Sequence, residues 1–196
     1  MRARSSTLRT RPANAIQAKA PKVGKRLWPL SARAIARRRR KAAYHEAGHA
    51  VACLHVGHSP PIVEIGPHGG GFTHYHEHNV TKGGARDRWA GLVVLFAGSY
   101  AEAFATHRPL DRVLFHSGKL DLQSASPTVQ WLVDNGHASD RIAVLMHTHN
   151  EVLWFLLVRW PEIDRVATAL LASNRLSPRK LVVTAKLGAA GRSEPA

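Results

Sequence analysis

The chain has 196 residues, 44% of them hydrophobic, and 28 Lys and Arg against 13 Asp and Glu give it a net charge of +15. That is room and apolar content for one domain of ordinary size plus a tail, and the single cysteine, Cys53, excludes an intrachain disulfide framework. The charge is uneven: residues 1–41 hold 14 of the basic residues and no acid, or +14, and the remainder carries 14 basic against 13 acidic, or +1.

Residues 1 to about 28 carry Pro12, Pro21 and scattered Lys and Arg without apolar periodicity, the composition of a disordered segment. The segment lacks the apolar middle of a secretory signal, but it is Arg-rich and acid-free as an organellar transit peptide is. A cytoplasmic location is expected, with organellar targeting left open. Residues 1–41 suit nonspecific binding to polyanions by charge alone, or a solvated tail with no partner. Aromatic interleaving is absent, which argues against specific nucleic-acid recognition.

Ala42, Ala43, Ala47 and Ala50 favour a helix from about Arg40 to Val56, and Ala32, Ala34 and Ala36 can extend it backwards through Arg37–Lys41. Gly57, Pro60 and Pro61 stop it. This helix carries His45-Glu46-Ala47-Gly48-His49, an H-E-x-x-H sequence. At i and i+4 the two imidazoles lie one turn apart on one face and can grip one Zn²⁺, with Glu46 beside them as general base. Chance pairing is the bland alternative in a chain with 13 His, and a catalytic zinc needs a third protein ligand. Cys53 reads as a small buried core residue.

Ile62–Ile65 reads as a strand, Gly66–Gly71 as a turn and Phe72–His78 as a second strand. His74, His76 and His78 share one face of it, more simply a polar side than a second metal site. Ala85 to Thr106 is the most apolar helix candidate, and Glu102 in its last turns needs a partner if buried. Its apolar run, Trp89–Ala101, is too short to cross a bilayer, so no transmembrane segment is expected. Ser117 can cap a helix that carries Asp121, and Ser126-Pro127 reads as the start of another. Ser139 or Asp140 starts a further helix that should end at Pro161, and a last helix covers Ile163–Ser173 before a short ordered piece around Leu176–Val183. His147 and His149 lie two apart and read as structural or exposed.

Three segments in order resemble one family, the zinc peptidase domain of the FtsH-type AAA proteases. Ala43–Val51 is similar to its zinc-binding helix, Phe96-Ala97-Gly98-Ser99-Tyr100-Ala101-Glu102 to its L-A-G-R-A-A-E segment, and Ser117–Ala125 to its S-G-A-x-x-D-L-x-x-A segment, one residue shorter before the Asp when Gly118 is aligned. The resemblance covers about residues 42–183. It implies His45, His49 and Asp121 as zinc ligands and Glu46 as general base, and it aligns Gly71, Phe72 and Thr73 with a strand that binds substrate beside the cleft. Glu102 is expected next to a ligand histidine without being a ligand itself. Ser99-Tyr100 and Ser126-Pro127 depart from the family pattern. No G-x-x-x-x-G-K-[ST] sequence occurs, so the likeness is to the peptidase domain without an ATPase module.

The expected fold is mostly α with a small β element, a zincin-like helical peptidase domain over residues 41–185, with a disordered basic arm at 1–40 and a flexible tail at 186–196. The expected function is that of a zinc metalloendopeptidase acting on unfolded or flexible polypeptide. A separate ATPase or unfoldase and a second copy of the chain are the further partners considered. Two alternatives stand beside it: a catalytically inactive zinc-binding or partner-binding remnant, and a basic nucleic-acid-associated protein.

Overall fold

The computed structural model describes residues 30–74 and 83–186. They form six helices and three short strands in the order α1 (Ala32–His55), β1 (Ile62–Ile65), β2 (Gly71–His74), α2 (Ala85–Thr106), α3 (Leu110–Leu114), α4 (Lys119–Asp134), α5 (Arg141–Ser173), β3 (Arg175–Leu176) and α6 (Pro178–Lys186). The expectation of a mostly helical chain with a small sheet holds.

Helix α1 is the axis of the fold. Ser31 caps its start, its Oγ accepting from the Ala34 N–H at 3.2 Å. Every residue from Ala43 to Cys53 is buried, so this half of the helix is enclosed on all sides, by α2, α5 and the sheet. At its end Gly57 adopts φ 80°, and the His58 N–H reaches back to the Cys53 carbonyl at 2.9 Å. This is the left-handed turn that satisfies the last orphan carbonyls and that glycine adopts without strain. The helix begins at Ala32 and not near Arg40, so residues 32–40 belong to it and not to an arm.

The close crossing of α1 and α2 rests on small residues. A Cβ at Gly48 would collide with the Ala97 backbone, and one at Gly98 would collide with the His49 ring. Helix α2 spans Ala85–Thr106 as its apolar pattern predicts. Among the described residues it alone has the length and hydropathy of a membrane span, and 67% of that window is buried in the protein.

Two proline expectations fail in the same way. Helix α4 runs unbroken through Pro127 and α5 through Pro161, so no helix starts at Ser126 and none ends before Ile163. Both prolines are exposed, as are Gln123 and Leu157, whose carbonyls lose a partner. On the solvent side the missing N–H is tolerated, and buried residues on the opposite face hold each helix together. Asp140 caps α5 as expected, its Oδ1 accepting from the Ala143 N–H at 2.8 Å. Ser117 does not cap α4; Gly118 stands at that position.

The sheet has the order β2-β1-β3, antiparallel throughout, with Val63 opposite both Thr73 and Leu176. Val63 and Leu176 are fully buried and dock the sheet on the helices. Strand β2 lies at the edge and, among the described residues, pairs only with β1. His74 ends β2 and is exposed; His76 and His78, like residues 1–29 of the basic arm and the tail from 187, lie outside the described residues.

Candidate metal centre

The five polar residues singled out from the sequence come from three helices and meet at one place. His45, Glu46 and His49 lie on the buried half of α1, Glu102 in the last turns of α2 and Asp121 in the first turn of α4. The helix N-terminus beneath Asp121 favours a carboxylate there. They line a cleft of about 600 Å³, closed on one side by Gly70 and the Gly71–Thr73 edge of β2.

Three donor atoms converge. His45 Nε2 stands 3.1 Å from His49 Nε2 and 3.1 Å from Asp121 Oδ2, and His49 Nε2 stands 3.5 Å from Asp121 Oδ2. Two ligands at ~2.1 Å from one tetrahedral zinc are ~3.4 Å apart, so the triangle has the edges that such a site requires. The far sides of the rings fix which nitrogens face inward. His49 Nδ1 lies 2.7 Å from the Val94 carbonyl, which only accepts, so the proton sits on Nδ1 and Nε2 presents its lone pair. His45 Nδ1 faces Glu102 Oε2 at 3.4 Å, an electrostatic contact longer than an ordinary hydrogen bond.

Three lone pairs aimed at one point repel unless a cation lies among them. In the metal-free chain that cation is a proton. Burial by itself would lower the His45 pKa, but the Asp121 and Glu102 carboxylates outweigh it and push it up to about 10. The same pairing holds Asp121 well below the usual carboxylate range although burial opposes this. A proton on His45 Nε2 bridges only to Asp121 or His49, whereas a divalent ion answers all three atoms at once. The set of two imidazoles and one carboxylate, with an open cleft on the fourth side, fits a zinc-type ion.

Glu102 is 1% exposed and is the most deeply enclosed acid of the cluster. Burial raises its pKa, but His45, Ser117 and Lys41 outweigh that and lower it, keeping it ionised. Its other oxygen takes the Arg108 guanidinium at 3.2 Å. Arg108 gave no signal in the sequence, because an isolated arginine after a helix end has no spacing to mark it. Lys41, one turn before His45 on α1, also lines the cleft. Burial and the neighbouring Arg108 depress its pKa.

Glu46 is buried, and its Oε2 accepts from Thr73 Oγ1 at 2.7 Å. Thr73 thus holds the carboxylate besides lining the cleft, a contact that the sequence did not reveal. Gly71 is required at its position, because a Cβ there would strike the Glu46 side chain. Phe72 is 70% exposed on the rim. Ser99 is buried against Gly118, where a Cβ would meet its Oγ, so the start of α4 lies close on α2. Tyr100 bonds His149 Nδ1 at 2.7 Å, which makes His149 structural. His147 packs edge-on against Trp89. Cys53 is fully buried, and burial pushes its thiol up to about 12, as befits an inert core residue.

The basic run that opens α1 is partly committed to the fold. Arg39 donates to the Leu171 carbonyl at 3.0 Å and to Asn174 Oδ1 at 2.7 Å, closing the C-terminal end of α5. Arg40 lies over the Tyr44 ring at 5.0 Å. A search of protein-family models finds no match to the chain, and a search of curated proteins finds none either.

Proposed function

We propose that the protein is a zinc-dependent metalloendopeptidase of zincin-like fold that hydrolyses peptide bonds in extended, unfolded polypeptide. The observation that carries this reading is the convergence of His45 Nε2, His49 Nε2 and Asp121 Oδ2 within 3.1–3.5 Å of one another, in a cleft that Glu46 also lines. His45, His49 and Asp121 would hold the ion. When bound, zinc supplies Lewis acidity toward water and toward the carbonyl oxygen of a substrate.

The remaining work belongs to the chain's own side chains. Glu46, oriented by Thr73, takes a proton from the attacking water and delivers it to the departing amide nitrogen, so the carboxylate is regenerated in each cycle. Glu102 faces His45 Nδ1 and keeps the opposite nitrogen aimed into the cleft. The outer edge of β2 from Gly71 to Thr73 offers backbone N–H and C=O groups to a substrate segment that adds as a further strand. A stably folded substrate has those backbone groups already paired, and opening it costs about 5–15 kcal/mol. The natural substrates are therefore flexible or already unfolded chains.

The test combines metal analysis with casein cleavage. One zinc per chain is expected, with cleavage that is lost in Glu46→Gln while the zinc remains. Bound zinc without cleavage in the unaltered protein would instead identify an inactive metal-binding domain, and absence of stoichiometric metal would defeat the reading altogether.

A further inference from the structure

Helix α5 turns one face to the core, through Val144, Thr148, Val152, Phe155 and Leu156. The opposite face should be polar on an isolated domain, and it is not. Ile142 is 72% exposed, Met146 56%, Trp154 65% and Leu157 73%, with Leu145, Leu153 and Val158 also exposed. These residues fall on two adjacent i, i+4 ridges. One is Ile142, Met146, Asn150, Trp154 and Val158; the other is Leu145, His149, Leu153 and Leu157.

We propose that this face of α5 is the interface of a two-fold symmetric homodimer. Two neighbouring i, i+4 ridges leave a groove between them, and the best complement to such a groove is an identical ridge. That is the commonest helix-packing class, with axes crossing near −50°. The stripe is also centred. Asn150 is the middle residue of the first ridge, with two apolar residues on either side, as an interface that repeats itself about a two-fold axis requires. A single polar residue at the middle of an apolar helix face is a known device for fixing register.

The area is sufficient. Seven side chains of these sizes and exposures present on the order of 800 Å², about what each partner contributes to a stable interface of standard size. It exceeds the ~300–600 Å² of the largest apolar patch on a typical monomer. The stripe carries no Lys, Arg, Asp or Glu along either ridge, so no charge selects a different, oppositely charged partner. The face is separate from the metal cleft, none of whose lining residues lies on α5.

The experiment is sedimentation of the full chain across micromolar concentrations. A dimer is expected, and Trp154→Glu with Leu157→Glu should weaken self-association ~100-fold or more while leaving the helical circular dichroism intact. A second readout does not depend on disruption. Residues near a two-fold axis lie close to their own copies, so Asn150→Cys should form an interchain disulfide under mild oxidation. Ser124→Cys, exposed on α4, should not. Three results would each overturn the proposal: a monomer at all concentrations, a dimer indifferent to both glutamates, or a monomer that these residues anchor to phospholipid vesicles.

Discussion

The two halves of α1 make an instructive contrast. From Ala32 to Ala42 the helix carries six Arg and Lys, most of them in contact with water; from Ala43 to Cys53 it carries His45, Glu46 and His49, all buried. The first half can exchange a protein contact for a water contact at little cost. The second half cannot, so every polar atom there has to be answered by a partner. Intrinsic helical propensity is lower in the second half, which holds Tyr44, His45, Gly48, His49 and Val51 where the first is almost all Ala, Arg and Lys, and what sustains the second half is enclosure by α2, α5 and the sheet. An exposed charge therefore adds little to stability, whereas a buried polar group constrains the elements around it.

The contrast can be tested from its strongest point downward. His49→Ala removes one corner of the donor triangle, and zinc affinity should fall ~100-fold or more. Calorimetric titration that finds unchanged affinity would mean the three atoms do not share an ion. Gly48→Ala should cost ~2–3 kcal/mol in urea unfolding of metal-free protein, because its Cβ meets the Ala97 backbone. Gly70→Ala, with open space around its Cβ, is the control, expected within ~0.5 kcal/mol of the parent.

Glu102→Gln keeps the shape and removes the charge facing His45, and zinc affinity or peptidase rate should drop ~10–100-fold with the fold retained. A variant with parental zinc affinity and rate would reduce Glu102 to a partner of Arg108. In the exposed half, Arg39→Ala should cost ~1 kcal/mol, since it takes the donor from the Leu171 carbonyl and Asn174 Oδ1 at the end of α5. Arg33→Ala, exposed and in no ion pair among the described residues, should change stability by less than ~0.5 kcal/mol. If Arg33 and Arg39 prove equal, the structural use assigned to the basic run is wrong.

Local signals were sufficient wherever one segment carried the whole message. The spacing of His45 and His49, the apolar run from Ala85 to Thr106, and the Gly57 and Asp140 helix ends are all written in consecutive residues. The breaks expected at Ser126-Pro127 and Pro161 do not occur, because proline's cost depends on which face of the helix it occupies, and facing is set by packing partners far away in sequence. Tertiary structure alone decided the contacts between segments. It brought Asp121 within 3.1 Å of His45 across 76 positions, set Glu102 and Arg108 behind the ring, and turned Thr73 onto Glu46. Periodicity along a chain records which residues share a face. The distance between faces depends on how closely helices approach, and here that approach was fixed by the absence of side chains at Gly48, Gly98 and Gly118.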